Sequence, residues 1–402
     1  MKISLKKSIN YETFFIFLII LVWTRLIIVS YVYQTICLIP SLKAFADYLK
    51  IFIYIFASVL SIPYMFKIIK IRDIIFFLIA YVLYFLNINM FSRTSLYLEK
   101  NMVEILFINL PAYFIGLGMI KEKHIQVLYN WSKVCIIAIL LHFLIFGLQS
   151  EIGNSSNAEN MSTAYRLLPH LCLITTMSFK NKWKNNIFYI IIGFALLLAS
   201  GSRGALLCFI IMCICCYLLS GFTIKKLFLS LFILVIVLLI YFNLYHFLKI
   251  VSSFLQQLNL STRIIDSFLT GNFMNDNGRY EIKNYMIQVL INNHWHGLGI
   301  AGDRNLVSWM AYSHNILIEM ILSYGIVLGS AIILVLFVIV LRAYFFADIT
   351  QRFFIISLIF GGGLFKLFLS SSYLMEFQFF MLLGYCIMIV RNTNKLKFII
   401  RK

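Results

Sequence analysis

Residues 186–221 read NIFYIIIGFALLLASGSRGALLCFIIMCICCYLLSG, and the topology of the chain depends on whether they make one broken helix or two. Two apolar arms, about 186–200 and 203–221, flank Ser200-Gly201-Ser202-Arg203-Gly204. Glycine on both sides of the arginine permits a tight turn. A single helix here would invert every span that follows, so charge placement tests the choice. With Lys2, Lys6 and Lys7 in the cytoplasm and a hairpin at 200–204, twenty cations fall on the inner side. They include Lys67, Lys70, Arg72, Lys121, Lys123, Lys225, Lys226, Arg342 and the basic tail from Arg391. The short outer connections hold four, Lys43, Arg93, Lys100 and Arg203. Positive residues accumulate inside, so the hairpin reading stands and both termini are expected in the cytoplasm.

Outward from the hairpin, the whole chain reads the same way. It is 62% hydrophobic and 12% charged, with mean hydropathy +0.93, against about 25% charged residues in soluble domains. Its apolar runs are as long as a bilayer core demands of a helix. Lipid cannot satisfy an open backbone, and the alternation of a barrel strand is missing. The expectation is an all-α polytopic membrane protein of about 12 transmembrane helices: 13–33, 46–66, 73–91, 102–120, 126–148, 163–179, 186–200, 203–221, 227–248, 314–341, 353–370 and 373–391. The first span carries Arg25 and no small-residue cleavage site, so it reads as a retained anchor. A net charge of +19 raises nucleic acid as a partner, but the cations cluster between apolar runs, which excludes it. The eight cysteines lie mostly in apolar segments and read as packing residues.

One connection is long. Residues 249–312 form an outer segment far beyond ordinary loop length. Its apolar pattern from Tyr280 to Ile291 predicts a short amphipathic helix at the membrane surface. A second outer loop, 149–162, is rich in Asn and Ser.

Charge near a bilayer is costly unless paired or used, which singles out a few residues. Arg203 opens a helix whose N-terminal amides attract anions; it either binds phosphate or snorkels at the interface. Arg279 starts the amphipathic segment. Arg166 and Arg25 either line a polar cavity or pair with a carboxylate such as Glu104 or Glu376. His314 heads the tenth span in Ser313-His314-Asn315-Ile316-Leu317-Ile318-Glu319, where it can take a proton near neutral pH. Ser313 can cap that helix, and Asn315 and Glu319 share one face of it. His294-Trp295-His296 lacks a third ligand at a defined spacing and reads as interface aromatics, not a metal site. Gly297-Leu298-Gly299-Ile300-Ala301-Gly302 has no strand–helix context for a nucleotide loop and reads as flexible backbone beside a substrate groove.

Ser200–Leu207 resembles the Ser-Arg-Gly turn of the O-antigen ligase/polymerase superfamily. Gly278-Arg279-Tyr280, then Asn293–Gly302, then His314-Asn315 with Glu319 and Gly325, resemble that family's large periplasmic loop and following helix. The likeness covers roughly 196–330. It implies a GT-C-like, metal-independent glycosyltransferase with no cofactor, in the bacterial inner membrane, whose donor is a glycan on undecaprenyl pyrophosphate. It divides the chain into transmembrane helices 1–9 (1–248), a large periplasmic loop with short amphipathic helices (249–312), and transmembrane helices 10–12 with a basic cytoplasmic tail (313–402). It places Arg203, Gly204 and Arg279 on the pyrophosphate and makes His314 the general base, with Arg166, Asn315 and Glu319 in support. The acceptor is another lipid-linked glycan for a polymerase, the favoured reading because such enzymes are more numerous, or lipid A core for a ligase. Membrane lipids and, for a polymerase, a chain-length regulator are the other implied partners. A flippase for the same lipid-linked glycans is the rival of another class. Transporters show related halves and broken helices, and the sequence suggests neither.

Overall fold

The computed structural model describes residues 11–24, 69–144, 156–180, 186–221, 262–270, 278–304 and 313–400, with scattered positions in 27–66 and 248–253 and residue 306. Everything regular among them is helical. Among the described residues, five helices are long and apolar enough to cross a membrane: Ile71–Met90, Arg93–Gly118, Glu122–His142, Ile316–Phe346 and Ile349–Leu369. Shorter apolar helices cover Tyr11–Trp23, Ile187–Ala199, Arg203–Leu219 and Phe377–Asn392. The expected ninth span (227–248) lies almost wholly outside the described residues, as do Arg25 and much of the second span.

Helix α1 (Tyr11–Trp23) is tied inward at its end. Trp23 Nε1 donates to Ser132 Oγ at 3.0 Å, and Ser132 meets His170 Nδ1 at 3.3 Å. Helix α2 (Ile71–Met90) leaves Phe76, Ile79, Val82, Leu83 and Leu86 exposed, as a face turned to lipid does. Asp73 on its first turn takes a bidentate pair from Arg391. Then α3 (Ser92–Glu104), a π-turn (Ile105–Asn109) and α4 (Leu110–Gly118) run on without a break. Arg93 and Lys100, expected in an outer connection, therefore lie on a helix. A polar stretch without glycine or proline simply extends the span.

Helix α5 (Glu122–His142) leads to α6 (Ser156–Lys180), which is buried without interruption from Leu167 to Ser178. It begins inside the stretch expected as the 149–162 loop. Pro169 within α6 removes one helical hydrogen bond. Gly361 packs on it so closely that an added Cβ would lie 2.9 Å from Pro169 Cα. Helices α7 (Ile187–Ala199) and α8 (Arg203–Leu219) meet at the turn read from sequence. Short α9 (Arg263–Leu269) and α10 (Arg279–Asn292) follow.

Two later spans are not the plain helices expected. Helix α11 (Ile316–Phe346) breaks at Gly325, φ +78°. The eleventh span divides into α12 (Ile349–Leu358), a π-turn (Ile359–Gly363) and α13 (Phe365–Leu369), with Gly362 at φ +124°. Broken helices are thus present, contrary to the sequence reading. The Gly361-Gly362-Gly363 run supplies the freedom for the second break. Helix α14 (Phe377–Ile400) packs on α4 through small residues, because a Cβ on Gly116 or Gly384 would strike the facing backbone. Close approach through glycine is how helices associate in lipid. An apolar groove of about 320 Å³ opens beside α2 and α4, lined by Ile62, Phe66, Ile74, Tyr81, Phe107 and Phe114.

Candidate functional site

The hairpin is built from local hydrogen bonds. Ser200 Oγ donates to Leu197 O at 2.8 Å, and Gly201 turns the chain at φ +69°. Ser202 Oγ caps α8 by accepting the N–H of Ala205, which leaves half-buried Arg203 on the first turn beside the helix's free amides. At Gly204 a Cβ would collide with the hydroxyl of Tyr165, and Leu369 lies just behind. Glycine here admits Tyr165 of α6 and Leu369 of the broken eleventh span. Arg166, next to Tyr165, acts electrostatically on Tyr31 and His142, whose rings stack at 3.7 Å.

Lys366 stands beside this turn. It is 6% exposed, its ammonium lies 4.7 Å from the centre of the Tyr165 ring, and it pairs with Glu376. Ser371 also donates to Glu376. Glu376, weighed from sequence as a partner for Arg166 or Arg25, thus binds Lys366 and Ser371.

The long loop forms the other half. Gly278 at φ +78° starts α10, whose Ile282, Met286 and Leu290 are buried against Leu306 and Leu322. Apolar residues four apart make the amphipathic helix expected from sequence. The chain then turns through His294 and Trp295, both left-handed. It next docks on the break in α11: Leu298 N–H donates to Leu322 O at 2.7 Å, Gly299 N–H to Ser323 O at 3.1 Å, and Ile326 N–H to Trp295 O at 3.1 Å. A Cβ on Gly297 would lie 2.6 Å from Ser323 O. The glycine run is therefore a packed seam, not flexible backbone; its glycines permit close approach and supply the partners that the broken helix needs.

Asp303 and Arg304 follow, 1% and 2% exposed. Arg304 bonds Asp303 and also Glu319, the latter at 3.1 Å, and its guanidinium lies 4.9 Å from the Tyr97 ring centre. Burial alone would lower its pKa; the two carboxylates overcome that and raise it. Asp303 Oδ2 accepts the N–H of Ser313 at 2.8 Å. Glu319 accepts further bonds from the Ser372 hydroxyl and, at 3.3 Å, from Tyr373 N–H. It is an anchor for this network.

His314 sits in the left-handed region, φ +53°. The helix cap is Asn315, not Ser313: its Oδ1 accepts the N–H groups of Leu317 at 2.9 Å and Ile318 at 3.4 Å. A left-handed residue redirects the chain so that the next side chain can reach the free amides. Burial, then the charges of Arg279 and Arg304, push the imidazole down to about 4. Burial and cationic neighbours thus both favour the neutral imidazole at His314.

The structure thus brings Arg279, Arg304 and His314 into one electrostatic neighbourhood, to which Glu319 is joined through Arg304. It sets Gly204, beside Arg203, against Tyr165 of α6, with Arg166 next in the chain. Sequence reasoning missed Asp303, Arg304 and Lys366. Lys366, a lone cation in an apolar run, carried a signal. Arg304 carried a weaker one, as half of an Asp-Arg pair in a stretch, 284–312, that holds no other Asp, Glu, Lys or Arg.

Residues 188–333 match a family model described as O-antigen ligase. No curated protein and no solved structure matches the chain. The matched region holds Arg203, Gly204, Arg279, Arg304, His314 and Glu319; Arg166, Lys366, Ser372 and Glu376 lie outside it.

Proposed function

We propose, from the match of residues 188–333 to a family model described as O-antigen ligase, that the chain transfers a glycan from undecaprenyl pyrophosphate to the hydroxyl of a second lipid-linked repeat unit. The transfer occurs at the periplasmic face of the bacterial inner membrane, with the loop 249–312 and the hairpin at 200–204 on that face. The observation that carries the reading is a buried histidine at the head of α11, close to the charges of Arg279 and Arg304, within the segment that matches the family model. His314 takes the acceptor hydroxyl proton. The acceptor oxygen attacks the anomeric carbon, and the bond from that carbon to the pyrophosphate oxygen breaks. The electron pair leaves with undecaprenyl pyrophosphate, and Arg203 and Arg279 stabilise the departing charge. The apolar groove beside α2 and α4 suits the polyprenyl chain.

The family's description as O-antigen ligase favours a second acceptor, lipid A core, which would make the protein a ligase. The broken eleventh span is the feature that favours a flippase. Reconstitution of the purified chain with the host's own lipid-linked repeat units, with and without core acceptor, separates the three. A polymerase extends the lipid-linked glycan without core, a ligase transfers only when core is present, and a flippase moves the unit without forming a glycosidic bond. Absence of any new bond under both conditions sinks the transferase reading.

A further inference from the structure

The two halves of the site meet at a short segment that sequence analysis passed over. Ser370–Ser372 follows the break in the eleventh span and precedes a single 3-10 turn, Tyr373–Met375. Ser371 donates to Glu376, which holds Lys366 beside the Gly204 turn. The adjacent Ser372 donates to Glu319, which holds Arg304 beside His314. Neighbouring hydroxyls thus hold two buried carboxylates belonging to opposite halves of the site.

The segment is itself constrained. Ser371 lies at φ +72°, a conformation rare outside glycine and asparagine. Residues adjacent in an extended chain point to opposite sides, and the left-handed residue redirects that chain between its two carboxylates. Ser372 Oγ also accepts Leu374 N–H at 3.2 Å, and Tyr373 N–H reaches Glu319. Asn109, from the π-turn between α3 and α4, donates its side-chain amide to Leu374 O at 2.5 Å. The Tyr373 hydroxyl meets that of Tyr324, beside the break in α11, at 3.0 Å. A strained residue persists only where its surroundings over-determine it, and here α3–α4, α11 and both ion pairs do so.

We propose that Ser371 and Ser372 are positioning residues acting as one unit, fixing the pyrophosphate-holding hairpin against the loop that carries His314. The proposal rests on the transferase reading above. Neither serine touches the reacting atoms. Each acts through a carboxylate, the first through Glu376 and Lys366, the second through Glu319, Arg304 and Asp303. Small misplacements between a bound donor and a base cost turnover more than binding.

The test is steady-state transfer by the full-length chain in vesicles, using the host's undecaprenyl-pyrophosphate-linked repeat unit and the acceptor that supports wild-type transfer. Ser371→Gly keeps the left-handed backbone at no steric cost and removes the hydroxyl. Ser372→Ala removes the other, and Ser372→Thr keeps it on a residue at home in extended backbone. Each single hydroxyl loss is expected to lower kcat about tenfold with donor KM within twofold, and Ser372→Thr restores kcat. The double variant is expected to stay well short of the roughly hundredfold product, because residues that act as one unit are not additive. Wild-type turnover in a single variant, no rescue by threonine, or a full product in the double variant overturns the coupling and leaves the transferase reading intact. Should Ser372→Ala fail to accumulate, Ser371→Gly alone decides. A wild-type chain that forms no glycosidic bond overturns both.

Discussion

Asp303 accepts the backbone N–H of Ser313 at 2.8 Å, so a buried carboxylate fixes the residue immediately before His314. The same carboxylate pairs with Arg304. Removing it frees the backbone on which the proposed base stands and leaves the guanidinium with Glu319 as its remaining carboxylate partner. Asp303→Ala is expected to lower the transfer rate about 100-fold, the scale of a misplaced catalytic group. Asp303→Asn keeps an oxygen for Ser313 and is expected to lose less. Assaying both in vesicles with equal amounts of folded protein tests this; equal losses would show that the hydrogen bond to Ser313 is not what matters.

His314→Asn separates chemistry from backbone. Asparagine tolerates the left-handed region better than most residues, so φ +53° costs it little, but it cannot accept the acceptor's proton. Turnover should fall by at least about 100-fold, as expected for loss of a general base, with unchanged thermal stability and donor binding. A variant that folds and turns over normally removes His314 from the mechanism.

The pH profile carries its own signature. Burial together with the positive charges of Arg279 and Arg304 disfavours imidazolium, which is why the pKa is about 4. Activity that needs neutral imidazole is therefore retained from neutrality down to about that value and lost as pH falls through it. Arg304→Gln removes one of the cations, so the acid limb of kcat/KM should move upward, toward the free imidazole value of about 6.5. A limb that stays put, or moves down, contradicts the electrostatic account.

The Arg304–Glu319 pair is expected to matter for folding as well. Both residues are at most 2% exposed, and removing one partner of a buried pair leaves an uncompensated charge. Glu319→Ala should cost about 3 kcal/mol, the low end for such cases, because Asp303 still faces the arginine. Thermal unfolding in detergent measures it, and Glu319→Gln, which keeps an acceptor for Ser372 and Tyr373, should cost less.

What the sequence disclosed and what it concealed divide along a physical line. The hairpin was legible because serine and glycine interrupt two apolar arms, and α10 because Ile282, Met286 and Leu290 recur every four residues. These are local patterns. The cap at Asn315 was misread because the choice between Ser313 and Asn315 rests on one left-handed residue, His314. Arg304 found Glu319 fifteen positions away, and only folding decides such partners. The breaks at Gly325 and Ile359–Gly363 looked like continuous spans because hydropathy registers composition, not hydrogen bonding. Gly297–Gly299 makes the first break tolerable by supplying hydrogen-bond partners from a distant loop.

Gly204 offers the sharpest test of the hairpin's packing. A Cβ there would collide with the Tyr165 hydroxyl, so Gly204→Ala must displace α6 or the turn, and overpacking of this kind costs about 1–3 kcal/mol. Because the turn carries Arg203, displacement should raise donor KM. Tyr165→Phe deletes the atom that blocks the methyl group and keeps the ring over which Lys366 lies. The double variant should therefore recover most of the stability and donor KM lost in Gly204→Ala. If Tyr165→Phe gives no recovery, contact with the hydroxyl is not why glycine is needed, and access of the donor to the α8 amides becomes the better explanation for glycine at 204.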